Sequence, residues 1–229
     1  MFAALAVAFL LQDAPADLYK KVEEKYAAAK SFSMTVETKF SGKRDGKEVA
    51  GTMKGAFRSK GEGQVVAEFS GSMGGQAIPK ATYISDGRSL AVLVEGTRSQ
   101  RRAHTLPLAA WGRRFCLRAG LLGSAGSLFG AVYQSDSVKL DELFKVSGLA
   151  DGGKEKVGDV ECRILTCTVS SPDPEGAPIK CRLWIDPAKL VVLKRESVET
   201  RKSESVTFVE SFANPLFDAE IADDVFKMP

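Results

Sequence analysis

The residues able to do chemistry are few. His104 is the only histidine among the 229 residues, and Arg101, Arg102 and Pro107 lie close to it in sequence. A Ser-His-Asp or Cys-His relay would have to pass through it, and no Gly-x-Ser-x-Gly elbow exposes a nucleophilic serine. His104 is therefore read as a surface-loop side chain, and the chain as not an enzyme. Asp218, Glu220, Asp223 and Asp224 gather near the C-terminus without the spacing of a calcium loop; they are read as solvated helix or turn residues. Gly71-Ser72-Met73-Gly74-Gly75 has no following Lys-Ser/Thr, so it is no phosphate cradle. The four cysteines, Cys116, Cys162, Cys167 and Cys181, lack Cys-x-x-Cys zinc spacing. Neither a metal nor a cofactor is expected. Cys167 and Cys181 lie equally far from Pro174, the centre of a Pro- and Ser-rich turn. If the flanking strands form a hairpin, the two sulfurs face each other and can close a cross-strand disulfide in an oxidising compartment. Two buried free thiols remain the other reading.

Charge adds little. Lysine and arginine number 32 against 29 acidic residues, a formal balance of +3, and nothing in it calls for a nucleic acid partner. Arg98, Arg101, Arg102, Arg113, Arg114 and Arg118 fall near one another. They suit anionic headgroups or an acidic partner, or simply a solvated helix face and loop. Residues 1–11 are almost wholly apolar and Ala14-Pro15-Ala16 supplies small residues for cleavage, so residues 1–16 are expected to be a signal peptide for export to the periplasm. The apolar run is about half the ~20 residues of a membrane-spanning helix.

These groups must be positioned by a strand-rich scaffold. Leu18, Val22, Tyr26 and Ala29 recur at helical spacing within residues 17–30. Alternation follows: Phe32, Met34, Val36, Thr38 and Phe40 share one side of a strand, and Val49, Met53 and Phe57 share one parity in the next. Further strands are expected over residues 63–70, 80–85 and 88–95, the last two joined by the hairpin turn Asp86-Gly87. Residues 106–133 are apolar and glycine-rich, long enough for two helical pieces broken between Gly120 and Gly126. Strands resume over residues 160–169, 179–186, 190–199 and 203–212. The pattern predicts an α+β fold, one curved antiparallel sheet with helices on its concave side. Parity marks Phe32, Met34, Val36, Phe40, Met53 and Phe57 as an apolar inner face, and the helical block offers Trp111, Phe115, Leu121, Leu122 and Phe129 to cover it. Periodicity alone favours an ordinary packed core.

Several segments in order carry a family resemblance. The N-terminal helix runs into the alternating strand at residues 31–40, and Tyr83-Ile84-Ser85-Asp86-Gly87 precedes an apolar strand. Val157-Gly158-Asp159-Val160-Glu161-Cys162 opens the C-terminal half, Leu183-Trp184-Ile185-Asp186 precedes residues 189–195, and Asn214-Pro215 leads to the end. Over residues 17–229 the chain resembles the LolA-like outer-membrane lipoprotein carriers and the related receptor and stress-regulator domains. The resemblance implies a single domain built as an unclosed half-barrel. It implies that the inner face is a cavity for lipid or lipoprotein acyl chains, carried by a monomer through the periplasm toward the outer membrane between membrane donor and acceptor proteins. A non-enzymatic periplasmic sensor or interaction domain of the same fold is the alternative. In the family an Arg-Pro followed by Phe and Trp occupies the second strand region, whereas here Lys54-Gly55-Ala56-Phe57-Arg58 has neither the Pro nor the Trp. Arg58 is the position to which the family's lid-latching role would carry over.

Overall fold

The computed structural model of the chain describes residues 13–97, 100–104, 106–123, 144–170 and 177–228. Residues 1–12 of the expected leader, Arg98, Phe129 and the side chains of Leu121 and Leu122 lie outside the described part.

Helix α1 (Pro15–Ala28) begins on a proline, whose missing N–H costs nothing in a first turn, with Asp17 near its start and Lys25 near its end, as the helix dipole favours. Leu18, Tyr19, Val22 and Tyr26 form its buried stripe. Strands β1 (Ser31–Arg44) and β2 (Lys47–Lys60) follow, joined by Asp45 and Gly46, both at positive φ (51° and 78°). That two-residue turn matches the right-handed twist of a hairpin. The expected alternation holds: Phe32, Met34 and Val36 are buried while Thr35 and Glu37 are exposed.

The next strands are β3 (Gln64–Met73), β4 (Gln76–Asp86), β5 (Ser89–Val94) and β6 (Gln100–Ala103). Helix α2 (Leu108–Gly123) then crosses the buried face, and β7 (Val146–Val157), β8 (Val160–Val169), β9 (Ile179–Asp186), β10 (Val191–Arg201) and β11 (Glu204–Phe217) complete the sheet before a 3-10 turn at Asp223–Phe226. Strand β4 reaches well beyond the expected residues 80–85, passing Pro79 where the pairing with β3 shifts register. Strands β6 and β7 were not anticipated. The first is short and basic; the second reads Val-Ser-Gly-Leu-Ala-Asp-Gly-Gly-Lys-Glu-Lys-Val, with no alternation to betray it.

All eleven strands form one antiparallel sheet in the order β6-β5-β4-β3-β2-β1-β11-β10-β9-β8-β7. Strands β6 and β7 do not pair with each other, so the sheet is an unclosed half-barrel, and the α+β class expected from the sequence is the class observed. An open sheet leaves two edges exposed to pairing with other chains. Strand β7 blunts its edge with two irregularities, between Ser147 and Ala150 and between Asp151 and Lys154, and with the charges Lys154, Glu155 and Lys156.

The main core joins the inner face of the sheet to both helices. Phe32, Met34, Val36, Phe57, Val65, Leu165 and Leu183 meet Leu18, Val22 and Tyr26 of α1 and Leu108, Phe115 and Leu117 of α2. Among the described residues no helix is long and apolar enough to cross a membrane.

Helix α2 is broken at Gly120, whose φ of 73° and ψ of 173° belong to a region that only glycine occupies without strain. A Cβ at this position would stand inside the Glu210 carboxylate. Gly120→Ala is therefore expected to cost more than the ~1–3 kcal/mol of backbone strain alone, read as a lower urea midpoint. An unchanged midpoint would show that the kink is dispensable.

Candidate functional site

The inner face of the sheet has two unlike halves. Toward the β2–β3 turn the core fills it. Toward the hairpin tips a cavity of about 770 Å³ opens between β1, β2, β3, β4 and β11. Its walls are Phe40, Val49, Met53 and Phe69, then Ile78, Pro79, Ala81 and Tyr83, closed by Val206 and Phe208 from the far end of the chain. Arg44, Asp45 and Lys47 of the β1–β2 tip stand at its rim, and Met73, 51% exposed, lies at the β3–β4 tip.

Strand pairing explains the position. The inner residues of β1 meet those of β11 in the pairs Val36↔Phe212, Thr38↔Glu210 and Phe40↔Phe208. The first pair belongs to the core and the last to the cavity, where the two rings lie 5.8 Å apart. Glycines make the room: a Cβ on Gly51 would come within 2.5 Å of the Phe40 ring, and one on Gly71 within 2.8 Å of Met53. Phe69 and Tyr83, 6.0 Å apart and edge to face, form the opposite wall.

Between the halves sits a charged layer. Arg195 of β10 and Glu210 of β11 are register partners, 3% and 2% exposed, and the guanidinium Nη1 donates to the carboxylate at 3.0 Å. The same nitrogen reaches Ser197 Oγ at 3.0 Å, while Nη2 donates to the Arg118 carbonyl of α2 at 3.2 Å and approaches Cys181 Sγ at 3.3 Å. Two further arginines tie the helices down. Buried Arg113 donates to the Tyr26 and Gly61 carbonyls, both at 3.1 Å, and to Ser59 Oγ. Burial draws its pKa below the ordinary guanidinium value. Arg118 pairs with Glu23 of α1 at 2.5 Å. Of the six arginines read as candidate headgroup binders or solvated charges, Arg113 and Arg118 are thus internal tethers, because α2 lies against the sheet and α1.

The other sequence-predicted positions fall as follows. Phe40 and Met53 line the cavity, whereas Phe32, Met34, Val36, Phe57 and Phe115 lie in the packed core and Trp111 packs against it. Arg58 takes the parity opposite to Phe57 and pairs with Glu68 at 3.3 Å, and Glu68 also holds Lys80 at 2.5 Å. The sheet guanidinium that reaches α2 is Arg195. Phe69, Tyr83, Val206 and Phe208 were missed as lining residues, although alternation within residues 203–212 already puts Val206 and Phe208 on one side of their strand.

His104 is not on a surface loop: it is 6% exposed. The Leu106 N–H donates to its Nδ1 at 3.2 Å, which leaves the ring proton on Nε2, directed at Ser85 Oγ 2.9 Å away. Ser85 Oγ gives its own proton to the Gly63 carbonyl at 2.8 Å and accepts the Gly87 N–H at 3.0 Å. In this arrangement the histidine donates to the serine rather than accepting its proton, so the pair staples three loops together. The C-terminal acidic residues are exposed, as expected; of them Asp218 accepts the Lys30 N–H and Asp223 pairs with Lys60 at 2.6 Å. Among the described residues no group of three His, Cys, Asp or Glu side chains is placed to hold a metal ion.

No family model matches the chain, and no curated protein matches it. Among solved structures it is similar to a LolA superfamily protein from Nitrosomonas europaea, with 12% identity over 95% of this chain and 99% of that one and a TM-score of 0.38. It is similar to LprF from Mycobacterium bovis, with 9% identity over 91% and 94% of the two chains and a TM-score of 0.48. The lipoprotein LppX from Mycobacterium tuberculosis is similar at 12% identity over 90% and 99%, with a TM-score of 0.42.

Removing Glu210 would leave the Arg195 charge buried without its carboxylate. Glu210→Ala is expected to destabilise the fold by about 3–5 kcal/mol, the usual cost of breaking a buried pair from one side. Replacing both members, Arg195→Met with Glu210→Leu, should recover most of that loss in urea unfolding. A single variant as stable as the parent would show the charged layer to be open to water.

Proposed function

We propose that the chain is a non-enzymatic periplasmic carrier that shelters lipid, or the acyl chains of a lipoprotein, for transfer toward the outer membrane. The observation that carries the reading is the apolar cavity at the tip end of the inner face. Its volume, about 770 Å³, falls within the ~300–1,000 Å³ of small-molecule sites. A hydrocarbon tail entering it leaves water, and each buried methylene contributes about 0.8 kcal/mol. Phe, Met and Ile side chains make a wall that adapts to tails of different length and branching. Arg44 and Lys47 at the rim suit an anionic headgroup left at the mouth. On this reading residues 1–16 are the signal peptide, residues 17–229 form one carrier domain that acts as a monomer, and donor and acceptor proteins at the two membranes load and unload it.

The carrier is tested by titrating delipidated protein with a fluorescent fatty acid, where saturable binding at micromolar concentration or better is expected. Ala81 faces the cavity from β4, so Ala81→Trp should fill it and weaken binding at least tenfold, about 1.4 kcal/mol, with an unchanged unfolding midpoint. Phe57→Ala should do the reverse in kind, costing about 3–5 kcal/mol of stability because its ring belongs to the core. Absent binding would favour the interaction-domain alternative, and binding untouched by Ala81→Trp would place the ligand elsewhere.

A further inference from the structure

Cys167 of β8 and Cys181 of β9 are direct register partners on the inner face of the sheet. Both are free thiols, 7% and 4% exposed, set side by side across the strand pair. Their surroundings differ. Cys181 Sγ accepts from Arg195 Nη2 at 3.3 Å and donates weakly toward the Ile179 carbonyl at 3.9 Å. The guanidinium donates directly to Cys181, while its charge reaches Cys167 as well; the direct contact favours a thiolate, and so a nucleophile, at Cys181. The neighbouring Cys167 thiol and then the guanidinium draw the Cys181 thiol below its ordinary range, while the Cys181 neighbour and burial push Cys167 up. Cys162, 0% exposed, stands opposite Glu155 in the register of the sheet, and Cys116, 2% exposed, lies on α2.

We propose that Cys167 and Cys181 are a thiol–disulfide exchange site, in which Cys181, set beside Arg195, attacks a disulfide oxidant and Cys167 resolves the product. In the first step the Cys181 thiolate forms a bond to one sulfur of the oxidant. The oxidant's S–S bond breaks, and its other half leaves as a thiolate that takes the proton of Cys167. The Cys167 thiolate then attacks Cys181 Sγ, and the mixed disulfide breaks to release the second half as a thiolate, which takes from water the proton that Cys181 gave up on ionising. Two electrons pass from the pair to the oxidant, one disulfide becoming two thiols. The chemistry does not depend on what the cavity binds. It does touch the helix, since Arg195 Nη2 bridges Cys181 Sγ and the Arg118 carbonyl of α2; oxidation removes the sulfur's charge from that bridge.

The test incubates the folded, reduced chain with oxidised glutathione, blocks remaining thiols, and maps peptides by mass. The expected product is a 167–181 link with Cys116 and Cys162 still reduced. Those two are equally buried, so exchange through global unfolding would modify all four alike. In Cys167→Ser the mixed disulfide should accumulate on Cys181, and roughly tenfold faster or more than it does on Cys167 in Cys181→Ser. A link involving Cys116 or Cys162, equal rates in the two variants, or no link in the parent under conditions that oxidise a model dithiol would each overturn the assignment.

Discussion

The pairing of β1 with β11 is the interaction on which the rest of the molecule depends. It joins the first strand to the last, from Phe32↔Phe217 to Gly42↔Val206, and without it the sheet would be two separate fans. Every inner-face feature near the middle is assembled across this seam: the core contact of Val36 with Phe212, the level of Thr38 and Glu210, and the Phe40–Phe208 wall of the cavity. Bringing chain ends together closes a long loop before any contact rewards it, so the seam is the step expected to govern folding speed. Asp218 reinforces it from outside, its backbone N–H meeting the Ser31 carbonyl at 3.0 Å and its carboxylate the Lys30 N–H at 2.7 Å.

Among the described residues, α1 and α2 cover only part of the inner face of this wide open sheet. Helices α1 and α2 fill one half, and what fixes them there is partly ionic: Arg113 into the Tyr26 and Gly61 carbonyls, Arg118 to Glu23, and Arg195 to Glu210 and the Arg118 carbonyl. Buried ions of this kind contribute little net stability, because desolvation offsets much of their attraction. They do penalise any shift of α2 along the sheet, since each displaced guanidinium would be left in an apolar interior without acceptors. Helix position is thereby set by charge while its stability comes from the apolar core.

This division explains what could be read from the chain. Alternation reveals which side of a strand faces inward, and in β1 and β2 it places Phe32, Met34, Phe40, Met53 and Phe57 correctly on one face. It carries no information about height along the strand. Phe32 and Phe40 have the same parity, yet one lies in the core and the other on a cavity wall, a distinction decided by where α1 and α2 end. Strand β7 was invisible because an edge strand with glycines and charges on both faces has no hydrophobic period. His104 was misjudged for a related reason: charged neighbours in sequence suggest a surface loop, but alternate residues of a strand end face opposite ways, and His104 turns in to Ser85. Arg113 and Arg118 likewise looked like surface charge until the helix carrying them was seen pressed against carbonyls and a carboxylate.

The cavity itself follows from glycine rather than from any large residue. Along the inner parity of β2 the side chains read Val49, Gly51, Met53, Gly55, Phe57, and on β3 Gly71 stands where an inner side chain would otherwise project. Filled with valine or leucine, these positions would bring the tip half to the packing density of the core half, at which a chain gains dispersion contacts and a drier interior. Leaving them empty forgoes that gain in one region only, on the side of the charged layer away from the helices. Stability and vacancy are thus carried by different stretches of the same strands, so the tip half can be filled or emptied without repacking Phe32, Phe57 and the helices beneath.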